Sequence, residues 1–210
     1  MRLTNRYGFI LEYFAKSLPN AASELNFTTT FELIVAVVLS AQCTDRRVNM
    51  VTPALFAAYP DAETMSKATI DDILRYISSV SYPNSKAAHI SGLSKKLVSD
   101  FNGVVPQTMD ELTSLPGVGR KTANVVMAVA FNKPAMPVDT HVFRVAHRLG
   151  LVPSKANTPA KVEAILTKHI PSEILSKAHH WLLLHGRYTC TAIKPKCEQC
   201  GLSGVCNNMK

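Results

Sequence analysis

No apolar run in this sequence approaches the length of a membrane span. The longest, Leu33–Leu39, falls well short of the roughly 20 residues that a helix needs to cross a bilayer. No secretory leader is legible either. Met1-Arg2 is followed by polar residues, and the apolar stretch Gly8–Phe14 is interrupted by Glu12. The expectation is a soluble, intracellular chain that makes no use of a membrane. Convincing two-residue alternation of apolar and polar side chains is missing, which argues against strands and for an all-α fold. Internal repeats and low-complexity segments are missing too, so neither a solenoid nor a disordered chain is expected. Acidic residues are scarce in two places only. Residues 1–20 hold three basic side chains against one acidic and residues 134–210 hold ten against four, whereas 21–133 hold ten of each. The net charge of +8 therefore resides in the two ends, as expected if they form one basic lobe facing a polyanion.

With 47% hydrophobic residues in 210, the chain can bury a substantial core in one or two domains. Apolar residues at helical spacing over 3–18 (Leu3, Tyr7, Ile10, Leu11, Phe14, Leu18) predict a first helix ended by Pro19. Thr28–Thr30 offer caps for a second, Phe31–Gln42, apolar enough to be central to a core. Asp45 is read as the cap of a third, running to Tyr59. Thr69–Ser78 follows with Ile70, Ile73, Leu74 and Ile77 as its apolar face, and a turn at residues 81–86 leads into a helix reaching Phe101. Beyond Asn132-Lys133-Pro134, Asp139 is placed to cap Thr140–Leu149, closed by Gly150. Two more helices span about 158–169 and 172–188. His179, His180 and His185 lack a spacing that compels a metal site and are read as structural.

The most informative stretch is Leu115-Pro116-Gly117-Val118-Gly119-Arg120-Lys121-Thr122. A short helix, Met109–Leu115, is closed before Pro116. Gly117 and Gly119 permit a tight turn and close approach of another molecule. From Gly119 a helix runs through Ala123, Val125, Val126, Met127 and Val129. Such a turn presents backbone N–H groups and the positive end of a helix dipole, which together favour an anion. Lys121 falls in that helix's first turn, where the dipole disfavours an ammonium, making it a candidate amine nucleophile.

Four of the five cysteines, Cys190, Cys197, Cys200 and Cys206, crowd the C-terminal end with the spacing C-x6-C-x2-C-x5-C. Cys43 is remote from them and is read as a small buried residue. Disulfides are not expected in an intracellular chain. Four thiolates suit a structural zinc or a [4Fe–4S] cluster, and spacing alone does not decide between them.

The run LPGVGRKTANVV, followed by VDTHVFRVAHRLGL at 138–151, resembles the helix-hairpin-helix and Gly/Pro-Asp signature of the endonuclease III family of DNA glycosylases. HGRYTC with the three further cysteines is similar to that family's cluster loop and moves the reading to a structural [4Fe–4S] cluster held by Cys190, Cys197, Cys200 and Cys206. The resemblance covers about residues 3–206. It implies two helical lobes: a barrel domain at 21–133 carrying the hairpin, and a basic domain of 1–20 with 134–210 carrying the cluster. It further implies a bifunctional DNA glycosylase/AP lyase of base excision repair, removing oxidised pyrimidines from double-stranded DNA. Lys121 and Asp139 are the implied catalytic pair, and the backbone of Gly117, Val118 and Gly119 the implied phosphate contact. LSAQCTD at 39–45 resembles the segment whose glutamine enters the duplex, which assigns that role to Gln42. The family's second wedge is a leucine in a turn reading GLYNSKA. Here Tyr82 holds that position and Pro83 follows, so a stacking tyrosine would replace an intercalating leucine. Lys194 and Lys196, between the first two cysteines, are expected to meet phosphate. A monomer acting on the bacterial nucleoid is expected. The weighed alternatives are an adenine-mismatch glycosylase relative, which would lack the lysine and usually add a C-terminal domain, a binding-only hairpin protein, and an electron-transfer protein.

Overall fold

The computed structural model describes residues 2–207. Residue 1 and residues 208–210, which close the expected basic domain at its two extremities, lie outside the described residues. Among the described residues the chain is helical throughout, with no strand, as the missing alternation implied. Eleven α-helices run α1 Leu3–Ser17, α2 Thr30–Leu39, α3 Asp45–Ala58, α4 Ala62–Lys67, α5 Ile70–Ile77, α6 Pro83–Phe101, α7 Met109–Thr113, α8 Arg120–Ala130, α9 Thr140–Arg148, α10 Pro159–His169 and α11 Ser172–Tyr188. None is long and apolar enough to cross a membrane.

Local chemistry accounts for most of the starts. Thr29, Thr44, Asp61, Thr69, Thr108, Asp139 and Thr158 each accept a bond from a first-turn amide of the helix that follows. Each such cap stabilises its helix by about 1 kcal/mol. Two expectations shift by a residue or more. Thr44, not Asp45, caps α3, because the hydroxyl one residue earlier reaches the amide of Arg47. Ile70 is exposed; it occupies the first position of α5, before the helix has turned its apolar stripe inward. α4 was not foreseen; its six residues are too few to show a period, and its start is a capping box between Asp61 and Thr64.

The chain divides into two compact units, Ser23–Phe131 and a discontinuous one of Met1–Ala22 with Asn132–Lys210. In the first, α2 is the central element: Phe31 and every residue of Leu33–Leu39 are buried, surrounded by Val48, Leu55, Met65, Ile73, Ile77, Ile90, Leu93 and Val126. In the second, Tyr7, Ile10 and Phe14 of α1 pack with Val142, Val145, Leu175, Trp181 and Leu202. Long-range hydrogen bonds show why the two chain ends share a unit. Arg6 is buried and donates to the carbonyls of Leu149 and Val205 at 2.9 and 2.6 Å and to Asn207 Oδ1 at 3.1 Å. Tyr7 Oη donates to Leu151 O at 2.8 Å, and Trp181 Nε1 to Leu18 O at 2.8 Å.

Candidate nucleic-acid interface and cluster site

In the hairpin, α7 stops at Thr113 and the chain turns through Leu115-Pro116-Gly117-Val118-Gly119 into α8. Leu115 and Val118 are buried in the core, and the Val118 amide donates to Leu115 O at 3.1 Å. Those two side chains anchor the turn and leave the backbone at Gly117 and Gly119 on the surface. Gly119 is the N-cap of α8 and supplies no side-chain cap, so the positive end of this helix carries no built-in anion. Lys121 is exposed in the first turn.

Gly117 adopts φ +77°, and a Cβ added there would lie 2.8 Å from His89 Cβ on α6. Both facts forbid a side chain. Gly117→Ala is expected to cost about 1–2 kcal/mol from the left-handed backbone alone. Displacement of His89 adds to that, and thermal melting together with DNA affinity measures the sum. A variant that melts and binds like the parent would exclude the turn as a rigid anion cradle.

Asp139 is half-buried and caps α9, its Oδ1 accepting from the Val142 amide at 2.8 Å. That bond leaves the second carboxylate oxygen available for other chemistry. Lys121 belongs to the Ser23–Phe131 unit and Asp139 to the other.

Gln42 is exposed, but not at the end of a helix. α2 stops at Leu39, and Gln42 stands in left-handed backbone at φ +52°. Tyr82, the N-cap of α6, is also left-handed at φ +54° and 67% exposed. Non-glycine residues held this way cost about 1–2 kcal/mol each and persist only where their surroundings hold them. Lys86, unmarked in the sequence, is buried and donates to Leu39 O at 2.8 Å and Ala41 O at 2.7 Å. Cys43 is half-buried against the same core.

At the other end of the chain, Cys190, Cys197, Cys200 and Cys206 line one pocket together with Arg148, Leu149 and His185. A tetrahedral zinc draws four sulfurs to about 2.3 Å from one point. Among the described residues, no three His, Cys, Asp or Glu side chains are gathered to hold a single metal ion. Four thiols lining one pocket are a donor set that suits either a zinc ion or a [4Fe–4S] cluster. Burial pushes the Cys200 thiol up; neighbouring Cys190, Cys206 and Cys197 add to the rise, against a backbone bond from Leu202 that lowers it. A metal centre held by these residues would stabilise their thiolate forms. Arginines lend further support. Arg148 Nη1 donates to Cys190 Sγ at 3.5 Å and to Thr191 O at 2.8 Å, and Arg144 Nε donates to Cys190 O at 3.0 Å. The loop at 191–196 is thereby pinned to α9. It leaves Lys194, at φ +53°, and Lys196 exposed. His185 and His180 are buried, and burial holds both imidazoles below the ordinary range, His185 at about 4.

Comparison with known proteins agrees with this architecture. Residues 35–172 match the family described as HhH-GPD superfamily base excision DNA repair protein, and residues 190–206 match the iron-sulfur binding domain of endonuclease III. The class is therefore a helix-hairpin-helix base excision repair enzyme. Endonuclease III of Rickettsia conorii (strain ATCC VR-613 / Malish 7) is 48% identical over 94% of this chain and 93% of its own length. Endonuclease III of Escherichia coli (strain K12) is 43% identical over 94% and 92%. A solved structure of a trapped endonuclease III–DNA covalent intermediate, an estranged-adenine complex, superposes with a TM-score of 0.94 at 42% identity, covering 100% of this chain and 98% of that one. The chain belongs to the endonuclease III family. It is accordingly a bifunctional DNA glycosylase with AP lyase activity that carries a [4Fe–4S] cluster. The adenine-mismatch and binding-only alternatives are not favoured.

Proposed function

We propose that this enzyme removes oxidised pyrimidines from duplex DNA, and cleaves at abasic sites, with Lys121 as nucleophile and Asp139 as the partner carboxylate. The observation that carries the reading is a primary amine, exposed in the first turn of an uncapped helix, directly after a turn shaped to receive phosphate. In a stacked duplex the target carbon is shielded, so the damaged nucleotide must first be extruded; damaged bases unstack most cheaply.

The Lys121 amine then attacks C1′. The C1′–N bond breaks with its electron pair leaving on the base, which takes up a proton. The sugar ring opens at O4′ as an iminium forms between C1′ and Nζ. That cation acidifies C2′–H; loss of the proton expels the 3′ phosphate by β-elimination, and water hydrolyses the conjugated imine to return the lysine. Asp139 stabilises positive charge developing at the sugar and accepts the proton from the attacking amine. Cys190, Cys197, Cys200 and Cys206 hold the cluster, whose contribution when bound is to staple the loop at 191–206. Gln42 and Tyr82 meet the duplex, the Gly117–Gly119 backbone meets phosphate, and Lys194 and Lys196 add cations. The enzyme works as a monomer on bacterial chromosomal DNA.

The test is borohydride reduction in the presence of duplexes containing thymine glycol or an abasic site. A covalent adduct is expected on both. Asp139→Asn retains an oxygen to cap α9, so it is expected to melt like the parent while trapping at least about 100-fold more slowly. No adduct on either substrate would overturn the amine mechanism. A fully active Asp139→Asn would remove the aspartate from it.

A further inference from the structure

Lysine is almost never buried without a carboxylate partner. Lys86 is 5% exposed, and its ammonium bonds are to two backbone carbonyls, Leu39 O and Ala41 O. Burial holds its ammonium below the ordinary lysine range, with nearby Cys43 acting the other way. The position explains the expense. α2 is buried without interruption from Leu33 to Leu39, so the orphan carbonyls at its negative C-terminal end have little access to water. A glycine in the left-handed position after the helix is the usual, uncharged solution. This chain has no glycine there; Gln42, two residues past the C-cap Ser40, is left-handed, and a cation delivered from another helix satisfies the carbonyls of Leu39 and Ala41.

That helix is α6, and the same residue holds its start. The Lys86 backbone amide donates to Tyr82 O at 3.1 Å, Tyr82 being left-handed and without a side-chain cap for the helix. One residue therefore bonds, through its side chain, the turn that carries Gln42 and, through its backbone, the turn that carries Tyr82.

We propose that Lys86 is a positioning residue that ties the Gln42 turn and the Tyr82 turn into one preformed two-pronged wedge, so that both side chains enter the duplex together. This rests on the reading of Gln42 and Tyr82 as the duplex-contacting pair. Because the strain of both turns is met during folding, it is not paid again on binding, which is how preorganisation raises the rate of a step that needs a fixed geometry. Lys86 touches neither DNA nor the reacting atoms.

The experiment uses the holoprotein with Lys86→Met, which keeps the apolar stem and removes the donors. Single-turnover excision of thymine glycol from a duplex is compared with β-elimination at an abasic site in a single strand, which has no stack to invade. The duplex rate is expected to fall at least about tenfold, with the single-strand rate within about twofold of the parent. 2-Aminopurine placed opposite the lesion should no longer brighten on binding. In a Gln42→Ala/Tyr82→Ala background, Lys86→Met should cost nothing further. An equal fall on both substrates, or a full additional fall in that background, would overturn the proposal. A duplex rate left unchanged by Gln42→Ala/Tyr82→Ala would instead remove the reading of those two residues. If the Met variant does not melt cooperatively, Lys86→Arg serves. It keeps the cation but moves the donors, so the duplex rate alone should fall by about threefold or more, and an equal fall on both substrates again overturns the proposal.

Discussion

Lys121→Gln is expected to abolish borohydride trapping and to lower the rate of strand cleavage at an abasic site by about 10⁴-fold, the scale on which deletion of an attacking group acts. A factor of that size corresponds to about 5.4 kcal/mol of lost barrier stabilisation. Glutamine keeps a polar, unbranched stem, shorter than that of lysine, but offers no basic nitrogen. Lys121 is exposed and packs no core, so the substitution should leave the stability within about 0.5 kcal/mol of the parent. Affinity for duplex should change far less than rate. One cation is lost near phosphate, which reduces the dependence of log affinity on log salt by about one charge. The separation is what makes the result decisive: a variant that still folds and still binds, yet neither traps nor cleaves, assigns the chemistry to the amine. Cleavage at the parental rate would assign it elsewhere and leave the hairpin as a phosphate contact only.

What could be read in advance, and what could not, follows from the range over which each feature is encoded. The hairpin is written in consecutive residues: proline closes one helix, two glycines permit the turn, and an apolar run opens the next helix. The Asp139 cap is similarly local, an acceptor three residues before the amide it receives. The helical class was visible in the absence of alternation. The end of α2 was not visible, because Phe31–Gln42 is helix-compatible throughout and the chain leaves the helix at Leu39 through a bond to a lysine 47 positions away. Nothing in the neighbourhood of Lys86 distinguishes it from a solvated lysine. Arg144 and Arg148 went unmarked for the same reason. Their partners, Cys190, Gly186 and Thr191, lie more than forty positions further along, and a basic residue near the end of a helix is ordinary. The choice of Thr44 over Asp45 turns on a single residue between two good caps, a difference smaller than local propensity resolves.

Removal of one cluster ligand, Cys197→Ser, is expected to cost the [4Fe–4S] cluster and, with it, the order of residues 191–206, while leaving half of the molecule folded. The two units have separate apolar cores, with Leu33–Leu39 inside one and Phe14, Val145, Trp181 and Leu202 inside the other. Leu202 and Cys206 belong to the second core and are buried there, so a collapsed cluster loop withdraws apolar surface from that unit alone. With the metal gone, the free energy of its binding is lost as folding free energy. Calorimetry should therefore show two transitions where the parent shows a higher, closer pair. The transition of the unit containing residues 132–207 should fall by at least about 10 °C, on the scale of several kcal/mol for a domain of this size, and that of Ser23–Phe131 should move little. The visible absorption of the cluster should vanish, and protease should cut within 191–206. Lys194 and Lys196 would then no longer be held on a pinned loop, so affinity for duplex should fall and should depend less steeply on salt than it does for the parent. A variant that loses its colour but keeps both transitions and the parental salt dependence would show that the arginines alone hold the loop and that the cluster does something other than staple it.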